Sequence, residues 1–451
     1  MSLPRFIALG NCALRVVATM SVMLSCQAQQ EAEPMPAIPD SVHASLGATS
    51  ATSVTSATPA TASASHEARP CGHIRFHSIR KLTYLPIDFA IALELQSQVV
   101  LSSNEQRLLV SSTARTSVVV LDAQSLEVLD HIPTDDAVGN LRAVDEQRFV
   151  VGWAGFGRRS SRRGGYLPAD ELFIFDGTDL RLLHRLTVGA NIGTVADLGN
   201  GLLLVAATGG AVLALVDLPT GEVLSRHSTK DSDFSPGHVV LRSDGLIGAV
   251  SGGIFQQRIS REVTGLGRSR AIGTQVLLFD PHAPANHSRM TFFPKLQHPR
   301  GMLFHRDGRH VFVADAEANA LVILDWVDRR TKELLPVAAS PQQLGFFPGQ
   351  QRIWLRHSEA QVLTVVDTET GTIDELRLPD MTLTDPLFSP DAQIFYLATL
   401  RPAEIVVVDA ASLRILDRIE VPMVGQGLAV SRDGCTLFAT LGVGTYVVRI
   451  D

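Results

Sequence analysis

Short apolar runs alternate with turn residues along most of the chain, and the repeats carry no helical apolar period. The clearest example is Pro299–Trp326, PRGMLFHRDGRHVFVADAEANALVILDW, which holds three runs with a turn between each pair. Gly301–Phe304, Val311–Ala314 and Leu321–Asp325 have the β-branched and apolar weight of strands, and Asp307-Gly308 closes the first hairpin because glycine accepts φ > 0 at little cost.

The third run of each unit ends on an acid: SVVVLD (Asp122), LFIFD (Asp176), LALVD (Asp217), VLLFD (Asp280), LVILD (Asp325), LTVVD (Asp367), IVVVD (Asp409) and YVVRID (Asp451). Successive markers are 54, 41, 63, 45, 42, 42 and 42 residues apart, a period of about 42 with two insertions. Periods of that length, built of strands, predict a β-propeller. A fourth, outer strand follows the marker, as in SLEVLDHI, DLRLLHRLTV, TGEVLSRH, TGTIDELRL and SLRILDRIEV. The last unit stops at Asp451 without one, and His77–Ile87 (HSIRKLTYLPI) has no unit of its own. The expectation is an all-β propeller of eight four-stranded blades, with seven as the alternative, its ring closed by pairing the N-terminal strand into the last blade. Closure removes the exposed edges that invite aggregation.

Units such as HPRGMLFHRDGRHVFVADAEANALVILD, PLFSPDAQIFYLATLRPAEIVVVDAASLRILDRI and QGLAVSRDGCTLFATLGVGTYVVRID resemble the YVTN-type (YncE-like) repeats of exported bacterial propellers. The resemblance spans about Ile74 to Asp451 and departs from the family's name motif, with VADAEAN in place of Tyr-Val-Thr-Asn. It implies a fold and leaves function open, because that repeat serves binding proteins, lactonases and cofactor-bearing oxidoreductases alike.

Composition and leader place the protein in the cell. Arg5 and Arg15 precede an uncharged run from Val16 to Leu24, too short to span a bilayer, so residues 1–26 read as a cleaved export signal. Met23-Leu24-Ser25-Cys26 resembles a lipobox that would make Cys26 the lipidated residue; cleavage after Ala28 is the alternative. Residues 27–73, rich in Ala, Ser, Thr and Pro, lack the large apolar side chains that offset ordering entropy and read as a tether to a propeller domain over 74–451. Either cleavage leaves Cys71 and Cys435 in the folded part, one ahead of the first strand and one in the last repeat, where a disulfide would clasp the ring. The expected location is the periplasm or the outer membrane, with membrane contact only through a lipid anchor. A net charge of −7 gives no reason to bind nucleic acid.

In propellers of this kind the first strand of each blade lines the channel. Aligning the strand-one entrances gives Asn140, Thr194, His238, Arg300, Gln342, Asp385 and Gln426 around the channel mouth. Both insertions fall between strands two and three, on that same face: one carries Arg158, Arg159, Arg162 and Arg163, the other Arg258, Arg261, Arg268 and Arg270. Elaboration confined to one face marks a binding surface, and clustered arginine suits an anionic ligand. Against that, polar residues at a wet channel mouth need no ligand, and arginine-rich loops are often solvated faces.

No G-x-S-x-G elbow, H-E-x-x-H helix, P-loop or C-x-x-C-H attachment occurs, so no catalytic residue, metal or cofactor is assigned. His298, His305 and His310 crowd one unit without a spacing that converges on a metal, and the repeated aspartates read as turn caps. His238 is the one histidine placed to act as an axial ligand or general base. Three functions stay open. The preferred one is an envelope-tethered binding or scaffold module for an envelope protein, a peptide or an anionic ligand. A lactonase-type hydrolase and a cofactor-bearing or redox accessory propeller are the alternatives.

Overall fold

The computed structural model describes residues 79–84 and 97–450, apart from 113–115, 136–137, 154–170, 190, 230–235, 242–246, 252–275, 280–289, 293–295, 350, 379–383, 422–424 and 442–445. These residues form eight four-stranded antiparallel sheets. The outer strand β1 (Ile79–Tyr84) belongs to the last of them. The first sheet runs β2 (Ser97–Leu101), β3 (Arg107–Ser112), β4 (Ser117–Asp122), β5 (Val128–Pro133), and the second β6 (Asn140–Val144), β7 (Phe149–Trp153), β8 (Glu171–Asp176), β9 (Leu182–Thr187). The third is β10 (Ile192–Gly199), β11 (Leu202–Ala207), β12 (Val212–Asp217), β13 (Glu222–Ser228), and the fourth β14 (Pro236–Leu241), β15 (Ile247–Ser251), β16 (Val276–Phe279), β17 (Met290–Phe292). The fifth is β18 (Pro299–Phe304), β19 (His310–Asp315), β20 (Ala320–Asp325), β21 (Arg330–Pro336), and the sixth β22 (Pro341–Phe346), β23 (Arg352–His357), β24 (Val362–Asp367), β25 (Ile373–Arg377). The seventh is β26 (Leu387–Phe388), β27 (Ile394–Thr399), β28 (Glu404–Asp409), β29 (Ile415–Glu420); the eighth joins β30 (Leu428–Val430), β31 (Leu437–Leu441) and β32 (Tyr446–Ile450) to β1. The alternative of seven is corrected here: the irregular unit between Pro236 and Phe292 still completes a four-stranded sheet, because its excursion lies between paired strands.

Each sheet is apolar on both faces and shares a core with each neighbour. In β8, Leu172 and Ile174 pack toward the third sheet with Val195 and Val205, while Phe173 and Phe175 pack toward the first with Leu109 and Val118. The same alternation holds in β28, where Val406 and Val408 face the sixth sheet and Ile405 and Val407 the eighth. Burial on both faces is why the third-strand runs read as unbroken hydrophobic stretches, although side chains still alternate sides. A shared core also joins the last sheet to the first, through Ala429 and Phe438 against Val99 and Leu108.

That seam is also hydrogen-bonded. Ser97 Oγ donates to Thr440 Oγ1 at 2.8 Å, and Arg432 Nη2 to the Ser103 carbonyl at 2.8 Å. β1 runs antiparallel to β32, Tyr84 opposite Tyr446 and Leu82 opposite Val448. Cys435, in the β30–β31 turn, is disulfide-bonded. Cys71 and Cys26 lie outside the described residues, as do all eight insertion arginines from Arg158 to Arg270. No helix of the described residues is long and apolar enough to cross a membrane.

The marker aspartates close the turn between third and fourth strands. Asp122 accepts hydrogen bonds from the backbone of Gln124 at 3.0 Å and Ser125 at 2.6 Å, Asp367 from Glu369 at 3.0 Å and Thr370 at 2.8 Å, and Asp409 from Ser412 at 2.7 Å. A short carboxylate reaches N–H groups two and three residues on, which would otherwise lose partners where the strand ends. Asp280 and Asp451 lie outside the described residues.

Candidate functional site

The inner strands β10, β14, β18 and β22 each carry a bulge near their start. The inserted residues are Gly193, Gly237, Arg300 and Gln342. A bulge adds one residue against the partner strand and re-aims the side chains beside it. Two bulges hold glycine, and neighbouring blades approach closely there: a Cβ on Gly193 would lie 2.9 Å from the Gly237 carbonyl oxygen. In β18 the tight position passes to the next residue, Gly301, whose Cβ would lie 2.9 Å from the Gln342 carbonyl oxygen. Arg300 and Gln342 therefore take the bulged position itself.

The residues expected at the channel mouth do not share one strand register. Thr194 pairs with Ala206 and His238 with Val250, one residue past the bulge, whereas Arg300 and Gln342 sit within it. Asn140 pairs with Trp153 in a strand that shows no register shift, Asp385 precedes β26, and Gln426 precedes β30. The seven residues share the strand-one end of the ring but occupy different registers. Of them, the structure ties Asp385 to Arg356, whose buried Nε donates to Asp385 Oδ1 at 2.9 Å.

Three of these residues carry buried polar atoms with no hydrogen-bond partner: His238 Nε2, Arg300 Nε and Gln342 Nε2. His298 Nε2, two residues before Arg300, is a fourth. All four come from the fourth, fifth and sixth sheets, one contiguous arc. A buried donor or acceptor left unpaired costs roughly 1–3 kcal/mol, and more when charged; outside the arc, Ser111, Thr134 and Trp153 carry such atoms too, but none of these side chains is ionisable.

The electrostatics follow from burial. His238 is pushed down to about 4 by desolvation, with the Arg142 guanidinium adding to the effect and Asp385 and a hydrogen bond with the Met302 backbone opposing it. With Nε2 unpartnered, that backbone bond falls to Nδ1, so the neutral ring holds its proton on Nδ1 and turns the Nε2 lone pair away from Met302. Arg300 is lowered from its ordinary value by desolvation, with no carboxylate among the described residues acting against it. Arg142, in β6, donates from Nη1 to the Val195 carbonyl at 3.1 Å; crowding lowers its pKa and Asp197 raises it. The arc thus offers an imidazole lone pair, an uncompensated cation and a carboxamide.

Comparison with known proteins fits this picture at the level of fold. No family model matches the chain, and no curated protein does. Solved structures do match. The chain is a β-propeller. A dihydro-heme d1 dehydrogenase, NirN, solved in complex with DHE, superposes with a TM-score of 0.57 at 14% identity, covering 80% of this chain and 73% of that one. The β-propeller domain of Cps50 (Swd1) from Myceliophteria thermophila superposes at 0.51 with 12% identity, covering 69% of this chain and 96% of that one.

Sequence reasoning marked His238, Arg300 and Gln342, set His298 aside and missed Arg142 and Arg356. For Arg142 the available signal was a charged residue inside a first strand, as in NLRAV. It also set aside His305 and His310, which do converge: with Asp307 they bring one ligand atom each to within 4.8 Å of one another. His298 is not part of that group.

Proposed function

We propose that the protein is a cofactor-bearing binding propeller whose arc of unpaired polar groups receives a carboxylate-bearing tetrapyrrole. The observation that carries the reading is the half-buried Arg300 side chain, whose Nε is buried without a partner and which no carboxylate among the described residues opposes. A ligand carboxylate supplies the missing charge, and guanidinium matches carboxylate in both shape and charge. His238 Nε2 would hold the group's metal, since its ring is neutral and oriented through the Met302 backbone. Gln342 Nε2, also without a partner, would donate a second hydrogen bond to such a group. A bound tetrapyrrole would supply electron-transfer or ligand-exchange chemistry; these residues bind it, orient it and keep water from one side.

The similarity to a dihydro-heme dehydrogenase solved with its ligand favours this reading over the scaffold and lactonase readings. A histidine held near 4 is also too weakly basic to serve as a general base close to neutral pH. Export to an oxidising compartment completes the proposal, supported by the disulfide at Cys435 and the leader pattern.

Titration of the purified chain with haem tests it. The expected result is one equivalent bound with a Soret shift, loss of the axial-imidazole spectrum in His238→Ala, and weaker binding in Arg300→Leu. Absence of a saturating spectral change, or unaltered binding by both variants, would overturn the reading.

A further inference from the structure

The turns between first and second strands lie at the rim opposite the channel arc, and three of them share one construction. Ser102, Ser389 and Ser431 each donate Oγ–H to an Asn or Asp two residues on, at 2.6–2.8 Å: Asn104, Asp391 and Asp433. Each Oγ also accepts the backbone N–H five residues on, from Arg107, Ile394 and Thr436. The residue between, Glu105, Ala392 or Gly434, has φ of 61°, 59° or 71°. The β18–β19 turn follows the same backbone path, with Gly308 at 65°, but places His305 where the serines stand and His310 five residues on.

Both imidazoles then face the one acid of the turn. Asp307 Oδ1 is occupied by the backbone N–H groups of Arg309 at 2.8 Å and His310 at 2.9 Å. The free oxygen Oδ2 lies 2.9 Å from His305 Nδ1 and 2.5 Å from His310 Nδ1. Both rings are largely buried, His305 resting edge-on against Phe312 at 5.4 Å, while Asp307 stays open to solvent. Burial pushes the Asp307 carboxyl up, but hydrogen bonds from the His310 and Arg309 backbones and both imidazoles outweigh it and hold the acid well below the usual carboxylate range. The flanking cations are already paired, Arg309 with Asp325 and Asp328, and Arg306 with Glu369.

We propose that His305, Asp307 and His310 form a divalent transition-metal site built from this single hairpin turn. Two imidazole nitrogens and one carboxylate oxygen are borderline donors that suit zinc, nickel or copper over magnesium or calcium, with water completing the coordination. The turn hydrogen bonds are Gly308 N–H to the His305 carbonyl at 3.1 Å and His305 N–H to the His310 carbonyl at 2.9 Å. They fix all three residues before an ion arrives. In its absence the two Nδ1 atoms hydrogen-bond to Oδ2; with an ion bound, each neutral ring carries its proton on Nε2 instead.

The test uses the chelator-treated full chain, without an affinity tag, titrated with zinc chloride by calorimetry and with copper(II) by electron paramagnetic resonance. The expected result is one tight equivalent with nitrogen hyperfine coupling, and at least tenfold weaker binding in Asp307→Asn. The double variant His305→Ser/His310→Thr rebuilds the β30–β31 turn, so it should melt as the parent does while losing the site. His238→Ala should keep it, which separates this site from the channel. No equivalent tighter than the double variant's, or an unchanged equivalent in that variant, would overturn the proposal.

Discussion

Two histidines, His357 at the end of β23 and His238 in β14, are both driven to about 4 by burial, yet their surroundings differ. His357 is satisfied on both nitrogens, Nε2 by Thr364 Oγ1 at 2.8 Å and Nδ1 by the Ala339 carbonyl at 3.2 Å. His238 has the Met302 backbone on one side and nothing on Nε2. The same contrast separates the marker aspartates, each capped by backbone N–H groups, from Arg300 in its bulge. A group whose hydrogen bonds are completed within the chain holds the fold together. One whose hydrogen bonds are not completed costs stability, and in His238 and Arg300 we read that cost as kept for a ligand.

The comparison sharpens first on pH. His357 lies at about 4 when folded against 6.5 for a free imidazole, so the unfolded chain takes up a proton in a range where the folded chain does not. Stability is therefore complete above pH 6.5 and is lost as pH falls toward 4, by about 3 kcal/mol at most for this one group. Urea denaturation across that range should show the slope, and His357→Gln should reduce it by about half, since His238 contributes over the same range. Next, Arg300→Leu should weaken ligand binding by about 10–100-fold, the range of a charge-assisted hydrogen bond, measured by the haem titration. Smallest is the turn cap: Asp367→Ala should cost about 1 kcal/mol in chemical denaturation without touching ligand affinity.

How far the sequence shows all this depends on the range of the interaction. The third strands were legible from their acids, because β4, β8, β12, β20, β24 and β28 all end on a marker whose carboxylate acts within three residues. Both long excursions fall where the spacing put them, between β7 and β8 and between β15 and β16. The channel residues were legible only in part. Bulges insert a residue without a sequence sign, so an alignment of strand entrances mixed His238 and Thr194 with Arg300 and Gln342, which lie one register apart. The rim histidines were misjudged for a related reason. A spacing of two and three residues means little on a straight strand, but a tight turn folds His305, Asp307 and His310 onto one point.

The most direct test is the stability of ligand-free Arg300→Met, measured by urea denaturation at neutral pH beside the parent. If Arg300 serves a ligand, removing a half-buried guanidinium that no described carboxylate opposes leaves the midpoint unchanged or raises it. A midpoint lowered as far as that of Asp367→Ala, or further, would show that the guanidinium supports the fold and would contradict the account.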